Sequence, residues 1–225
     1  MVNHQSLYWI RYQNQFTFSP SWYWNNEFDN RRFFSPGMQN QFIIHSHLHY
    51  KFNRWDVGAG ITSSWAYAQK PEVGYEHAIH ELRGVTEVSH ITKLGKINFQ
   101  NRLRFDYRFF QESEAHSVFE ESIYVFRIRY RAQFTFPIKK LTDDGRGINL
   151  RLADEIMLNH EGNTFDQNRI YATMDFLISK KITLETGYIY SYQQRVGQKE
   201  FFERHIARFT MLHKISRARK NHTER

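Results

Sequence analysis

Residues 120–136 read Glu-Glu-Ser-Ile-Tyr-Val-Phe-Arg-Ile-Arg-Tyr-Arg-Ala-Gln-Phe-Thr-Phe. Tyr124, Phe126, Ile128, Tyr130, Ala132, Phe134 and Phe136 share one parity, and Arg127, Arg129, Arg131, Gln133 and Thr135 share the other. Side chains alternate across a strand, so this segment is a ribbon with one apolar and one cationic face. A soluble barrel hides the apolar face inside. A membrane barrel turns it to lipid and keeps the charges in its lumen.

The pattern recurs along the 225 residues, at a length that suits one all-β domain. Aromatic residues make up 17% of the chain and favour pleated surfaces, while 4 Pro and 11 Gly leave little linker. No apolar run approaches the ~20 residues of a membrane helix, a test that barrel strands escape because their alternation averages to polar. With no cysteine, disulfides and thiolate metal sites are excluded. The net charge of +8 would suit nucleic acid if it were clustered. Here the arginines are interleaved with aromatics, and no nucleic-acid partner is expected. The basic tail, 217–225, reads as a solvated end after a single barrel domain, 1–216. Met1–Ser6 leads almost directly into a strand pattern without a signal peptide. It reads either as a mature start with an added Met or as a protein that is not exported.

Periodicity predicts eleven strands: 7–18, 22–31, 41–52, 55–67, 80–91, 97–109, 120–136, 148–158, 167–178, 182–193 and 204–215. Many reach the ~9–11 residues of a tilted membrane strand, against ~5–6 in ordinary sheets. Short links such as Asn53-Arg54 and Lys93-Leu94-Gly95 alternate with longer ones near 32–40, 68–79, 110–120, 159–166 and 194–203. Pro137–Gly147 breaks this rhythm by being long where a short turn is due. Bacterial barrels have even strand counts, so eleven implies one strand missed or two merged. Asp154 falls on the apolar parity, which predicts a bulge or a rim position there.

Two features favour lipid on the apolar side. Trp55 and Trp65 lie ten residues apart on one face. At ~3.3 Å per residue and ~45° tilt they are roughly 23 Å apart along the axis, near the ~25 Å band between aromatic girdles. The opposite face carries Glu81, Arg83, Glu87, Arg102, Arg104, Asp106, Arg108, Arg127, Arg129, Arg131, Arg151, Glu155, Arg169, Glu185, Arg204 and Arg208. An Arg facing lipid at the midplane costs ~2–4 kcal/mol, so three in one strand must face the lumen. The expected fold is an all-β, antiparallel up-and-down transmembrane barrel of about 10–12 strands with a charged lumen and aromatic girdles. The alternative is a soluble, lipocalin-like barrel that binds an apolar ligand against inward aromatics.

Phe126-Arg-Ile-Arg-Tyr-Arg, Asp154-Glu-Ile-Met-Leu-Asn, Phe165-Asp-Gln-Asn-Arg-Ile-Tyr and Leu184-Glu-Thr-Gly-Tyr-Ile resemble the domain of unknown function 2490 family. His80-Glu-Leu-Arg and Arg102-Leu-Arg-Phe-Asp-Tyr-Arg-Phe also fit, and the likeness covers about 7–213. The resemblance implies a small outer-membrane barrel of a diderm bacterium. It carries no activity and no catalytic residues. Outer-membrane lipids, lipopolysaccharide and the barrel-insertion machinery are the expected partners. The basic tail departs from the aromatic ending that this machinery reads.

Three chemistries are open to these residues. His45, His47 and His49 share a face at about 7 Å spacing, so two of them could grip one metal, although a polar ladder explains them as well. The arginine rows could line a path for small anionic solutes or form a closed lattice of ion pairs. An enzyme is not expected: no Gly-x-Ser-x-Gly elbow is present, and Ser89-His90 and His116-Ser117 are neighbours in sequence only. Asp144-Gly-Arg-Gly reads as a turn, and no cofactor is implied.

Overall fold

The computed structural model describes residues 2–67, 69–70, 78–114, 117–142, 146–194 and 199–216, and of 112–114 and 117–121 the backbone alone. The tail 217–225, His116, and Asp144 and Gly145 of the 144–147 turn lie outside the described residues. Eleven strands occur: β1 Val2–Thr17, β2 Trp22–Phe33, β3 Gln39–Phe52, β4 Trp55–Ala66, β5 Ile79–Leu94, β6 Ile97–Glu114, β7 Ser117–Lys140, β8 Gly147–Asn159, β9 Phe165–Leu177, β10 Ile182–Gln194 and β11 Phe201–Ser216. Consecutive strands pair antiparallel, and the ring closes through β1 against β11.

That closing pair is parallel, in register from Val2 opposite Phe201 to Thr17 opposite Ser216. An up-and-down ring with an odd number of strands brings its first and last strands together pointing the same way. Among the described residues the ring closes with eleven strands, so the count needs no missed or merged strand, and the parallel seam is its geometric consequence. The odd-stranded mitochondrial channel barrel with nineteen strands shows that such counts occur in membranes.

Long runs of alternating β-branched, aromatic and polar residues form these strands because each ring packs on a cross-strand ring. Phe99 stacks on Phe134 with centroids 4.6 Å apart, and Trp22 meets Tyr50 at 4.9 Å. Such pairs are the unit of sheet stabilisation. These aromatic rows lie outside. Trp22, Trp24, Phe28, Trp55, Tyr124 and Tyr130 are all exposed. The interior instead buries Asp29, Glu81, Asp106, Arg127 and Glu155. An interior lined with aromatics, as the lipocalin-like alternative requires, is not what these strands build.

The strands are strongly tilted. One row of paired residues starts at Trp55, beside the Asn53-Arg54 turn, and passes through His90, Asn101, Ala132 and Asp154. It continues through Ile170, Tyr190, His205 and Ser6. There Ser6 O accepts the amide of Phe34, at the β2–β3 link on the other rim. A row that climbs from rim to rim is the signature of the stagger a closed barrel requires.

Three details correct the sequence reading. Asp154 lies halfway along that row and not at a rim, and β8 has no bulge there. The register shifts fall between Pro137 and Lys139 and between Met157 and Leu158. Pro137 does not end β7, which continues to Lys140 by absorbing the missing amide in the first of these bulges. The 110–120 segment is mostly strand, since β6 runs to Glu114 and β7 begins at Ser117.

Candidate functional site

Inside the barrel, β5 to β8 carry a lattice of ion pairs. Asp106 accepts from Arg104 Nε at 2.7 Å and from Arg127 Nη2 at 2.6 Å. Arg127 also reaches Asp166 at 2.9 Å. Glu155 holds Arg102 at 2.7 Å and Arg129 at 2.9 Å and takes the Tyr171 hydroxyl at 2.8 Å. Glu81 receives Arg83 Nε at 2.6 Å and Arg108 Nε at 2.5 Å. Glu87 lies 3.9 Å from Arg104 and 4.0 Å from Arg102. Lower in the barrel Arg151 joins Asp175 to Glu185, which also binds Arg208 at 2.6 Å.

The pairing explains an awkward register. Arg104 lies directly opposite Arg129, and Arg102 opposite Arg131. Like charges facing across strands destabilise a sheet. Here Asp106 and Glu155 sit one step along and share themselves between the guanidiniums. Buried carboxylates and arginines of this kind are held by bidentate, charge-assisted bonds.

The other wall, on β1, β2 and β8 to β11, is different. Leu7, Trp9, Phe33, Ala153, Tyr171, Ile189 and Ile206 form one buried apolar cluster. Its guanidiniums rest on rings. Arg31 Cζ lies 3.9 Å and Arg169 Cζ 5.2 Å from the Trp9 ring centre. Arg131 lies 4.5 Å and Arg208 5.3 Å from that of Tyr171. Arg204 is held by the amide oxygens of Gln5, Gln69 and Gln193 at 2.6–2.8 Å. Among the described residues, no carboxylate lies within ion-pair distance of Arg131, Arg169 or Arg204. The two walls enclose a cavity of about 500 Å³ that reaches the rim of the longer links, where Asn40, Gln69, Gln111 and Gln193 line it.

Towards the opposite rim the lumen is filled. His45 Nδ1 lies 2.6 Å from Thr62 Oγ1, and His49 Nδ1 lies 2.8 Å from Asp56, which also accepts the Tyr23 hydroxyl at 2.7 Å. Gly58 and Gly60 face these imidazoles. A Cβ on Gly58 would come within 2.6 Å of the His49 ring, and one on Gly60 within 2.6 Å of His47. Glycine at both positions lets the histidines lie flat against β4. Among the described residues, no group of three His, Cys, Asp or Glu side chains could hold a metal ion. Thr62 and Asp56 take a ring nitrogen of His45 and of His49.

Polar side chains on the outer surface are paired with each other. Trp24 Nε1 donates to Ser46 Oγ at 2.8 Å, and Ser46 donates to Asn26 at 2.8 Å. Tyr130 donates to Asn101 at 2.6 Å, and Asn168 donates to Asp154 at 2.7 Å. Ser89 and His90 do not meet. Ser89 is buried inside, whereas His90 packs outside against Trp55 at 4.5 Å. Among the described residues, the Ser–His contact is Ser63 Oγ to His80 Nε2 at 2.7 Å, on the outer face beside Trp65, and no carboxylate lies within ion-pair distance of His80.

The charges expected on the polar faces, from Glu81 to Arg208, are buried or half-buried, whereas Asp154 is exposed on the outer face. Several partners were not singled out. Trp9 and Arg11 were legible as the residues between Tyr8, Ile10 and Tyr12. Arg11 pairs with Glu27 at 3.1 Å and with Asp29 at 2.8 Å. Asp166 was not legible, because the bulge between Met157 and Leu158 turns Asp166 and its neighbour Gln167 both inward. No curated protein and no solved structure matches the chain. A match to a family described as Protein of unknown function (DUF2490) spans residues 7–201, from within β1 through the whole of β10, and so the chain belongs to that family.

Proposed function

We propose that the protein is an outer-membrane barrel whose arginine-rich lumen is braced shut, with a structural role in the bacterial envelope. The observation that carries this reading is the inversion of polarity: Ile61 is 61% exposed on the outside, whereas Asp106 and Glu155 are fully buried inside. In water that arrangement exposes a continuous apolar surface of a size that marks a membrane or a partner. In lipid it is the ordinary state of a barrel. The pairing of outer polar groups with one another supports the same reading, since lipid offers them no water.

The lattice spans strands that are not neighbours: Arg102 of β6 reaches Glu155 of β8, and Arg127 of β7 reaches Asp166 of β9. Cross-bracing of this kind fills a narrow lumen with side chains. The expected behaviour is heat-modifiable migration on gel electrophoresis from detergent micelles and silence in planar bilayers. A monodisperse protein in buffer without detergent would sink the membrane reading. A second reading, a small anion-selective pore, is favoured by the cavity and its arginines. Discrete conductance steps selective for chloride over potassium would establish it and remove the braced-shut reading.

A further inference from the structure

The lattice leaves a specific remainder. Arg169, Ser191, Arg204 and Gln5 lie on one register row. The two guanidiniums are thus two strands apart with only a serine side chain between their Cα positions. Arg31 stands opposite Trp9 on the neighbouring pair of strands. The charges that act on Arg204 are those of Arg169 and Arg31, and both repel it. Arg31 has its counter-charge in Asp29, but burying Arg169 and Arg204 near each other without a carboxylate is costly unless an anion offsets it.

Unused donors point the same way. Trp9 is 3% exposed, yet its indole Nε1 has no acceptor. Arg169 Nε is buried without an acceptor as well, a state it shares with lattice arginines such as Arg129, so the indole is the distinguishing donor. Buried polar atoms are normally satisfied, so each such orphan needs an explanation. All of these residues except Ser191 and Gln5 line the 500 Å³ cavity, whose volume exceeds what a single water or chloride needs.

We infer that Arg169 and Arg204, with the indole of Trp9, form a binding site for a small, multiply charged oxyanion bearing phosphate or carboxylate groups, beside Arg31, which Asp29 already holds at 2.8 Å. Guanidinium forks match the paired oxygens of both groups. Two charges or more on the ligand answer two guanidiniums that have no carboxylate. The ligand is a soluble one, because the barrel wall separates the site from lipid headgroups outside. The inference goes beyond the envelope role: it needs the closed barrel and neither membrane insertion nor conduction.

The test is calorimetric titration of the folded full chain with inorganic pyrophosphate at pH 7, against sodium chloride at matched ionic strength. Trp9, the one tryptophan that points inward, supplies a second readout through its fluorescence. The expected result is saturable binding near one pyrophosphate per chain, with a fluorescence change that Trp9→Phe removes. Arg169→Gln/Arg204→Gln should weaken binding at least tenfold, while Arg54→Gln, in the β3–β4 turn, should leave it unchanged. Relief of mutual repulsion favours folding of the double variant, and the wild-type comparison with chloride decides the matter without it. Heats equal to those of chloride, binding of many pyrophosphates per chain, or an unaltered double variant would each overturn the site. If the protein proves soluble without detergent, the membrane reading fails while the same titration, run in buffer, still judges the site.

Discussion

The two inner walls of this barrel use arginine in opposite ways. On β5 to β8, Arg102, Arg104, Arg127 and Arg129 are shared among Glu87, Asp106, Glu155 and Asp166. On the wall next to the parallel seam, Arg169 and Arg204 lie against Trp9, Phe202 and glutamine amides. On the first wall these guanidiniums share carboxylates, whereas on the second Arg169 and Arg204 have none among the described residues, although Arg31 and Arg208 there are paired with Asp29 and Glu185. Residue type alone therefore says little about role. A guanidinium with two carboxylates is a brace, whereas one with no carboxylate in reach among the described residues, such as Arg169, is available to something else.

The sharpest way to break the comparison is to remove a carboxylate from the first wall. Glu155→Gln strips Arg102 and Arg129 of their shared partner, and leaving such charges uncompensated costs about 3–5 kcal/mol. Urea unfolding in detergent reads this loss, and an unchanged midpoint would show that the lattice does not hold the barrel. Asp106→Asn paired with Arg127→Gln should cost less than the sum of the two singles, as expected of residues in one network.

On the seam wall, packing should matter where charge does not. Ile206, fully buried, should cost about 3 kcal/mol when changed to Ala, within the range for large-to-small core substitutions. Arg204→Gln on the same wall should change stability by no more than about 1 kcal/mol, because no buried carboxylate loses its partner. A loss as large as that of Glu155→Gln would erase the distinction between the walls. The smallest effect is outside the barrel. Asp154→Leu replaces an exposed acid at mid-height and should stabilise the protein in bilayers by less than about 2 kcal/mol. A decrease in bilayer stability would contradict lipid at that position.

Much of this was legible in alternation. The parity of Arg127, Arg129 and Arg131 against Tyr124, Phe126 and Ile128 settles which residues share a face, and strand geometry makes that a local property. The limits were local exceptions. A bulge turned Asp166 inward beside Gln167, and Pro137 was carried inside β7 by another. His45, His47 and His49 shared a face as expected, but Thr62 and Asp56 take their ring nitrogens, and the residues that accommodate the rings are two glycines on the next strand.

What the amino-acid sequence determined by itself was the set of strands and the two faces of each, because period-two polarity is written residue by residue. What only the tertiary structure decided was how those faces meet. Closure with eleven strands set β1 parallel to β11, and the stagger carried rows such as Trp55 to Phe34 from rim to rim. Pairing across the lumen then joined Arg102 to Glu155 and left Arg169 and Arg204 without a carboxylate. Those partnerships join residues as much as 53 positions apart, such as Arg102 and Glu155, and no local pattern encodes which guanidinium will find an acid and which will not.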